Sequence, residues 1–103
     1  MSGLEKRQYK VVVRDPYARK LLPDYIARKK VQTADILEAL ETGDYESIEG
    51  VAHRLYGSGA AYGLDTVSAF GDKLEQAAKR KDAPLIAKLA KDLAHYLENL
   101  TIA

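Results

Sequence analysis

The stretch VAHRLYGSGAAYG, Val51–Gly63, has the apolar spacing of an amphipathic helix, yet it contains glycines at positions where a helix loses stability. Apolar residues recur every three or four positions, so Leu55 and Tyr62 fall on one side of the predicted helix. Because each residue of a helix turns by about 100°, His53 falls roughly on the opposite side. The spacing therefore predicts a buried apolar stripe and a histidine that faces away from the core.

The neighbours of His53 on this outer face are small. Gly50, Gly57 and Ala60, which we call the bare strip, lie three, four and seven positions away from it. A glycine inside a helix costs about 0.8–1 kcal/mol relative to alanine, so chance is a weak explanation for these glycines. The bare strip would give another protein access to a ring nitrogen whose lone pair can attack an electrophile. Gly59 lies on the inner side, where it would let a neighbouring helix approach closely. The alternative interpretation of His53 is that it is an ordinary surface histidine.

Residues that typically start and end helices recur along the rest of the chain. Asp15 and Pro16 predict the start of a short helix that ends near Leu21. Four longer amphipathic helices are predicted from Pro23 to about Thr42, from about Tyr45 to Tyr62, from the residue after Asp65 to the charged segment KRKD (79–82), and from the residue after Asp82 to about Leu100. The predicted N-caps of the last three are Asp44, Asp65 and Asp82, and the predicted stops are Gly43 and Gly63.

Each of the four helices is too apolar on one stripe to be stable alone, and the predicted connections are short. We therefore expect an all-α fold, an up-and-down antiparallel four-helix bundle with a short extra N-terminal helix. Residues 1–10 are polar and are expected to form a disordered tail, and residues 11–103 are expected to form the bundle domain. The segment VVV, Val11–Val13, is strand-like, but it has no second strand candidate, so we interpret it as an extended segment on the body of the domain.

Composition excludes several classes of function. The 103 residues contain 16 basic and 15 acidic side chains, and the net charge of +1 gives no electrostatic footprint for a nucleic acid or an acidic membrane. There is no cysteine for a disulfide or a thiolate metal site, and two histidines alone make a poor zinc site. No apolar run approaches the roughly 18 residues that span a bilayer, and MSGLEKRQYK lacks the apolar core of a signal peptide. We expect a monomeric cytoplasmic protein that binds no metal, cofactor, nucleic acid or membrane.

The residues that follow His53 resemble a known signature. The run HRLYGSGAAYG (53–63) is similar to His-x-Leu-Lys-Gly-Ser-Ser-x-x-x-Gly, the signature of histidine phosphotransfer (Hpt) domains. The resemblance extends to LPDYIARKK (22–30), LETGDYESIEGVAH (40–53) and LEQAAKRKD (74–82). In that family a helical bundle accepts a phosphoryl group on the histidine from one protein and passes it to an aspartate of another. The resemblance therefore implies that His53 is phosphorylated.

The resemblance also implies supporting residues. The family places a polar side chain of the following helix beside the histidine, and the matching position here is Glu75. A carboxylate there would accept a hydrogen bond from the near ring nitrogen and keep the far nitrogen unprotonated for attack. Lys79, one turn further on, is a candidate for contact with the phosphoryl group or the partner, and the bare strip with Tyr56 is the predicted docking surface. His95 has no bare strip beside it and is predicted to be an ordinary surface histidine.

Two departures from the family pattern leave alternatives open. Tyr56 replaces the usual lysine and cannot supply a full positive charge to phosphoryl oxygens, and Gly59 replaces the second serine. The first hypothesis is a module of a two-component phosphorelay whose partners are receiver domains, a sensor histidine kinase, or both. The alternative is a bundle that binds a receiver or kinase domain without being phosphorylated. A third hypothesis, an enzyme acting on small molecules, would need a concave polar pocket.

Overall fold

The computed structural model of the protein describes residues 8–102, and within them the chain forms four α-helices and two short strands. The helices are α1, Pro16–Glu41; α2, Tyr45–Gly59; α3, Asp65–Lys79; and α4, Ala83–Glu98. A 3-10 segment, Ala60–Tyr62, continues α2, and the strands are β1, Tyr9–Val11, and β2, Leu100–Ile102. The predicted all-α class is confirmed. Among residues 8–102, no helix is both long and apolar enough to cross a membrane.

The helices pack in a ring in which each one contacts the next along the chain, and α4 closes the ring against α1. The apolar side chains between them form the core. Its largest fully buried members include Leu22, Tyr25, Ile36, Ile48, Leu55, Leu64, Leu74, Ile86, Leu93 and Leu97. Burying one leucine or isoleucine side chain contributes about 1.5–3 kcal/mol, so tertiary packing rather than helix propensity holds the four helices together. The most extensive contact joins α2 and α3.

The first helix is continuous from Pro16 to Glu41, so the prediction of a short extra N-terminal helix followed by a second helix from Pro23 was wrong. A proline inside a helix removes one backbone hydrogen bond and usually kinks or breaks the helix. Pro23 is exposed, whereas Leu22 and Tyr25 on either side of it are each 1% exposed. Burial of both side chains in the same core outweighs the effect of the proline, because the helix has to continue for both to reach that core.

The helix starts follow the predicted caps with one exception. The carboxylates of Asp15, Asp44 and Asp82 accept hydrogen bonds from backbone N–H groups in the first turns of α1, α2 and α4. These bonds satisfy donors that a helix end leaves unpaired. Asp65 is the first residue of α3 and not its cap, which corrects the prediction. Leu64 occupies the cap position because its side chain is buried in the core.

The two ends of the described chain form a small parallel sheet, in which Tyr9 of β1 lies opposite Leu100 of β2. The VVV segment was predicted to have no strand partner and the last helix to reach Leu100, and both predictions were wrong, because Val11 belongs to β1 and Leu100 to β2. Val13, which follows β1, is 4% exposed in the core, as expected of an extended segment on the body of the domain. Strands of three residues are too short for side-chain periodicity to identify. Tyr9 and Lys10 belong to β1, so the disordered tail predicted for residues 1–10 does not include them, and residues 1–7 lie outside the described residues.

Contacts between α1 and α2 are polar as well as apolar. Tyr25 is 1% exposed, and its hydroxyl lies 2.7 Å from Oγ of Ser58 on α2. Its ring stacks on Tyr62 with the ring centroids 4.0 Å apart. Burial raises the pKa of Tyr25, so its hydroxyl remains protonated at neutral pH and can donate a hydrogen bond. These contacts fix the rotation of α2 about its own axis, which keeps the opposite face of the helix, with His53, toward solvent.

Candidate functional site

His53 lies on the solvent side of α2. Its side chain is 69% exposed, whereas Ala52 and Leu55 on the same helix are fully buried. Its Nδ1 lies 3.1 Å from Oε2 of Glu75 on α3. A carboxylate can only accept a hydrogen bond, so in this pair Nδ1 donates and Nε2 of the neutral ring keeps a free lone pair. The structure thus brings His53 and Glu75 together, and an unprotonated nitrogen faces solvent.

Glu75 reaches His53 because α2 and α3 approach each other closely at Gly71. Gly71 is buried, and a Cβ placed on it would overlap the backbone nitrogen of Tyr56 and lie 2.8 Å from the carbonyl oxygen of Ala52. A larger residue would therefore force the two helices apart. Glu75 lies one turn after Gly71 on the same face of α3, so this close approach brings its carboxylate alongside the imidazole ring.

Lys79 contacts Glu75 rather than His53. Its Nζ lies 3.9 Å from the same Oε2 that accepts from the ring, and the lysine follows the glutamate by one turn of α3. The carboxylate is therefore held between the imidazole and the ammonium group. Because the lysine side chain is 49% exposed, the ion pair contributes at most about 0.5 kcal/mol to stability, and its main effect is to orient Glu75.

A shallow depression lies beside the ring of His53. The residues that line it are Glu46, Glu49, Gly50, His53, Arg54 and Glu75. Among residues 8–102, however, no three histidine, aspartate or glutamate side chains are grouped so that they could hold a metal ion. The depression is open, and three of its six lining residues are glutamates.

The bare strip is open at Gly57 and Ala60, whereas Gly50 is half-buried beneath the side chain of Arg54. Gly50 lines the depression, and a Cβ on Gly57 would meet nothing within 4 Å. Ala60 is exposed as the first residue of the 3-10 segment. Gly59 instead lies on the inner side as predicted, because a Cβ there would be 2.5 Å from the backbone nitrogen of Ser68. The outer residues leave a low surface beside the histidine, and their role in docking stays a prediction.

Tyr56 adds apolar area next to this surface. Its side chain is among the few large apolar ones that are exposed, at 51%. The centroid of its ring lies 6.5 Å from that of His53, with the two planes tilted by 41°. At this separation the two rings are neighbours on the surface and do not stack.

His95 differs from the surface histidine that the sequence predicts. It is half-buried, and its Nε2 is buried without a hydrogen-bond partner among the described residues. The ring meets Tyr9 edge-on, with the centroids 6.0 Å apart. The prediction failed because β1 covers this part of α4, and no paired strand was predicted there.

A model of the Hpt domain family matches residues 21–101, a range that includes His53, Glu75 and the whole of α2 and α3. The chain belongs to the Hpt domain family. Hpt domains are phosphocarriers rather than enzymes with a catalytic site of their own, and they serve histidine phosphotransfer in phosphorelays. They interact with receiver domains and histidine kinases. Searches among curated proteins and among solved structures gave no match.

Arg54 is not among the residues that were predicted from the sequence to lie beside His53. Arg54 lines the depression because its side chain runs back along the helix over Gly50, and its Nη1 lies 3.7 Å from where a Cβ on Gly50 would be. Long side chains on a helix generally lean toward the preceding turn. The available signal was therefore a glycine four residues before an arginine, which leaves that arginine room to lie beside the histidine.

Proposed function

We propose that this Hpt domain is a phosphoryl carrier in a two-component phosphorelay and that His53 is the residue that is phosphorylated. The phosphoryl group would come from the aspartyl phosphate of a receiver domain or from a sensor histidine kinase, and it would pass to the aspartate of a receiver domain. The observation that supports this most is the 3.1 Å contact between Nδ1 of an exposed His53 ring and Oε2 of Glu75.

In the proposed reaction one phosphoryl group changes its bonding partner. Nε2 of His53 attacks phosphorus with its lone pair, the N–P bond forms, and the O–P bond to the partner's aspartate breaks to release its carboxylate. Because Nδ1 keeps its proton, the ring becomes positively charged. The hydrogen bond to Glu75 strengthens as this charge develops, so the carboxylate stabilises the transition state more than the starting state.

We propose that the partner docks on the bare strip and Tyr56. A protein surface placed over Gly57 would displace no side chain, and the exposed ring of Tyr56 would supply apolar contact area. The contact should be small and short-lived, as transient signalling contacts are. Lys79 would act by holding Glu75 in place, since its Nζ lies 3.9 Å from that carboxylate.

Chemical phosphorylation tests the proposal without a known partner. Phosphoramidate, a small phosphoryl donor, should add one HPO3 group of about 80 Da to the wild-type protein, measured by intact mass, and acid should remove it. His53→Gln should gain no mass, whereas His95→Gln, which also loses one imidazole, should be labelled like the wild type. Labelling of His53→Gln would contradict the assignment of the phosphorylated residue.

Tyr56 favours a second candidate function, because it stands where the signature has a lysine and carries no charge. A bundle of this kind would bind a receiver or kinase domain without carrying phosphate. Such a protein would show receiver binding by titration calorimetry while its mass stayed unchanged after treatment with phosphoramidate and with receivers charged by acetyl phosphate. That combination would establish the alternative and exclude the carrier.

The proposal also includes an antiparallel up-and-down order of the helices, a monomeric chain and a cytoplasmic location. The antiparallel order is supported by the short connections between the helices, because short connections join neighbouring helices that run in opposite directions. These connections are residues 42–44, 63–64 and 80–82. The monomeric state and the location stay predictions from the sequence.

A further inference from the structure

A phosphoryl group that approaches His53 brings negative charge into an acidic depression. Three of the six residues that line it are Glu46, Glu49 and Glu75. The transferred group carries about two negative charges near neutral pH, so these carboxylates repel it unless a cation lies nearby. Tyr56, at the position of the signature's lysine, can donate one hydrogen bond but supplies no charge.

Arg54 supplies the positive charge among the residues that line this depression. Its guanidinium lies over Gly50, three residues before His53, so the charge sits about one turn before the ring, whereas Tyr56 lies about one turn after it. Within residues 8–102, Arg54 makes no hydrogen bond and no ion pair within 4.0 Å. The guanidinium is therefore free to bind an anion.

On the side of Arg54 that faces α1, the neighbouring charges are positive. Burial lowers the pKa of Lys29 on α1, and charge repulsion from Arg28 and from Arg54 lowers it further. An anion bound by Arg54 would relieve part of that repulsion. Lys79 is a poorer candidate, because its Nζ is directed at Glu75 and the lysine does not line the depression.

We propose that Arg54 binds the oxygens of the phosphoryl group during transfer. It thereby takes the role of the signature's lysine, whose position Tyr56 occupies in this chain. This inference rests on the proposed function of His53. With phosphoramidate as donor, whose nitrogen is protonated (–NH3⁺), Nε2 forms a bond to phosphorus, the P–N bond breaks, and its electron pair leaves with the nitrogen as neutral ammonia. Arg54 neither gains nor loses a proton. Its planar guanidinium offers two parallel N–H groups to two phosphoryl oxygens.

The test is the initial rate at which phosphoramidate phosphorylates His53, measured by intact mass. Arg54→Ala should slow this rate by about 10-fold, because it removes a charged donor from the transition state. Arg54→Lys should slow it less, since the charge remains without the planar fork. Lys91→Ala, which removes one exposed positive charge from α4, is the matched control and should leave the rate unchanged.

A rescue variant separates binding of the phosphoryl group from a structural role. The double variant Arg54→Ala, Tyr56→Lys should recover most of the rate that Arg54→Ala loses, because the lysine returns a positive charge on the other side of the ring. A loss of stability caused by Arg54→Ala would not be repaired by a new charge at position 56. A rate loss that Tyr56→Lys does not rescue therefore overturns the inference.

The remaining outcomes distinguish the two proposals. An unchanged rate in Arg54→Ala, with normal labelling of His53 in the wild type, overturns the role of Arg54 and leaves the carrier function intact. If the wild type is labelled neither by phosphoramidate nor by charged receivers, the proposed function itself fails and the inference fails with it.

Discussion

The two histidines of the chain differ in the property that decides whether an imidazole can react. Both rings have Nδ1 near a polar side chain, at 3.1 Å from Oε2 of Glu75 for His53 and at 3.5 Å from Nδ2 of Asn99 for His95. The ring of His53 is 69% exposed, whereas Nε2 of His95 is buried without a partner among the described residues. Both side chains are imidazoles, so the two residues differ in whether Nε2 is accessible and in whether Nδ1 has an acceptor.

This difference originates in the elements that pack against each helix. At His53, α3 comes close to α2 through Gly71 and supplies a carboxylate from the side, so the ring stays open above. At His95, β1 supplies the ring of Tyr9, which covers the imidazole. The first arrangement orients an exposed imidazole ring, and the second buries one.

The largest expected effect comes from moving α3 away from His53. Gly71→Val should lower the free energy of unfolding by about 3 kcal/mol, because its side chain would overlap the backbone of α2. Any folded protein that remains should also be phosphorylated more slowly, since Glu75 is displaced. Urea denaturation measures the first effect. The control is Gly57→Val on the open face, which should change the free energy of unfolding by no more than about 0.5 kcal/mol; equal losses in the two variants would contradict the close approach at Gly71.

Without the carboxylate that accepts from its Nδ1, His53 should resemble His95 in having no acceptor that fixes the tautomer of the ring. Glu75→Ala should lower the rate of phosphorylation by phosphoramidate by about 10- to 100-fold, since a residue that orients a reactive ring typically contributes that much. The tautomer of His53, followed by the nitrogen chemical shifts of the ring, should shift away from the Nδ1–H form. The ring signals of His95 are the internal control and should stay in place. An unaltered tautomer and rate would show that Glu75 does not orient the ring.

A substitution on the open face should weaken docking of the partner without slowing phosphorylation of His53 by a small donor. Gly57→Trp should raise the KM for a phosphorylated receiver domain by about 10-fold, because a bulky side chain on the bare strip costs about 1–3 kcal/mol in a fitted contact. The rate with phosphoramidate should not change, because so small a donor does not need the docking surface. An unchanged KM would mean that the receiver docks elsewhere.

The sequence could predict the surroundings of His53 because they depend on local spacing. The outward direction of the ring and the inner position of Gly59 follow from the turn per residue of one helix, and the cap at Asp44 follows from local backbone chemistry. The contact with Glu75 joins two helices, and it was expected from the family resemblance rather than from spacing. Arg54 was missed because its position depends on which way a long side chain leans.

The surroundings of His95 could not be predicted in the same way. They depend on the pairing of β1 with β2, two three-residue strands from opposite ends of the chain whose local patterns carry no strand period. The continuity of α1 through Pro23 failed for a related reason. Local propensity favours a break at the proline, and only burial of Leu22 and Tyr25 in the assembled core overrides it.

The smallest expected effect tests the buried histidine itself. His95→Phe keeps an aromatic ring against Tyr9 and removes the unpartnered Nε2, so the free energy of unfolding should rise by about 0.5–1 kcal/mol. The rise is smaller than the full cost of a buried unpaired nitrogen, because the contact with Asn99 is lost as well. The rate of phosphorylation should equal that of the wild type. A fall in stability of more than about 1 kcal/mol would mean that Nε2 of His95 has a partner in solution, and the contrast with His53 would then lie in exposure alone.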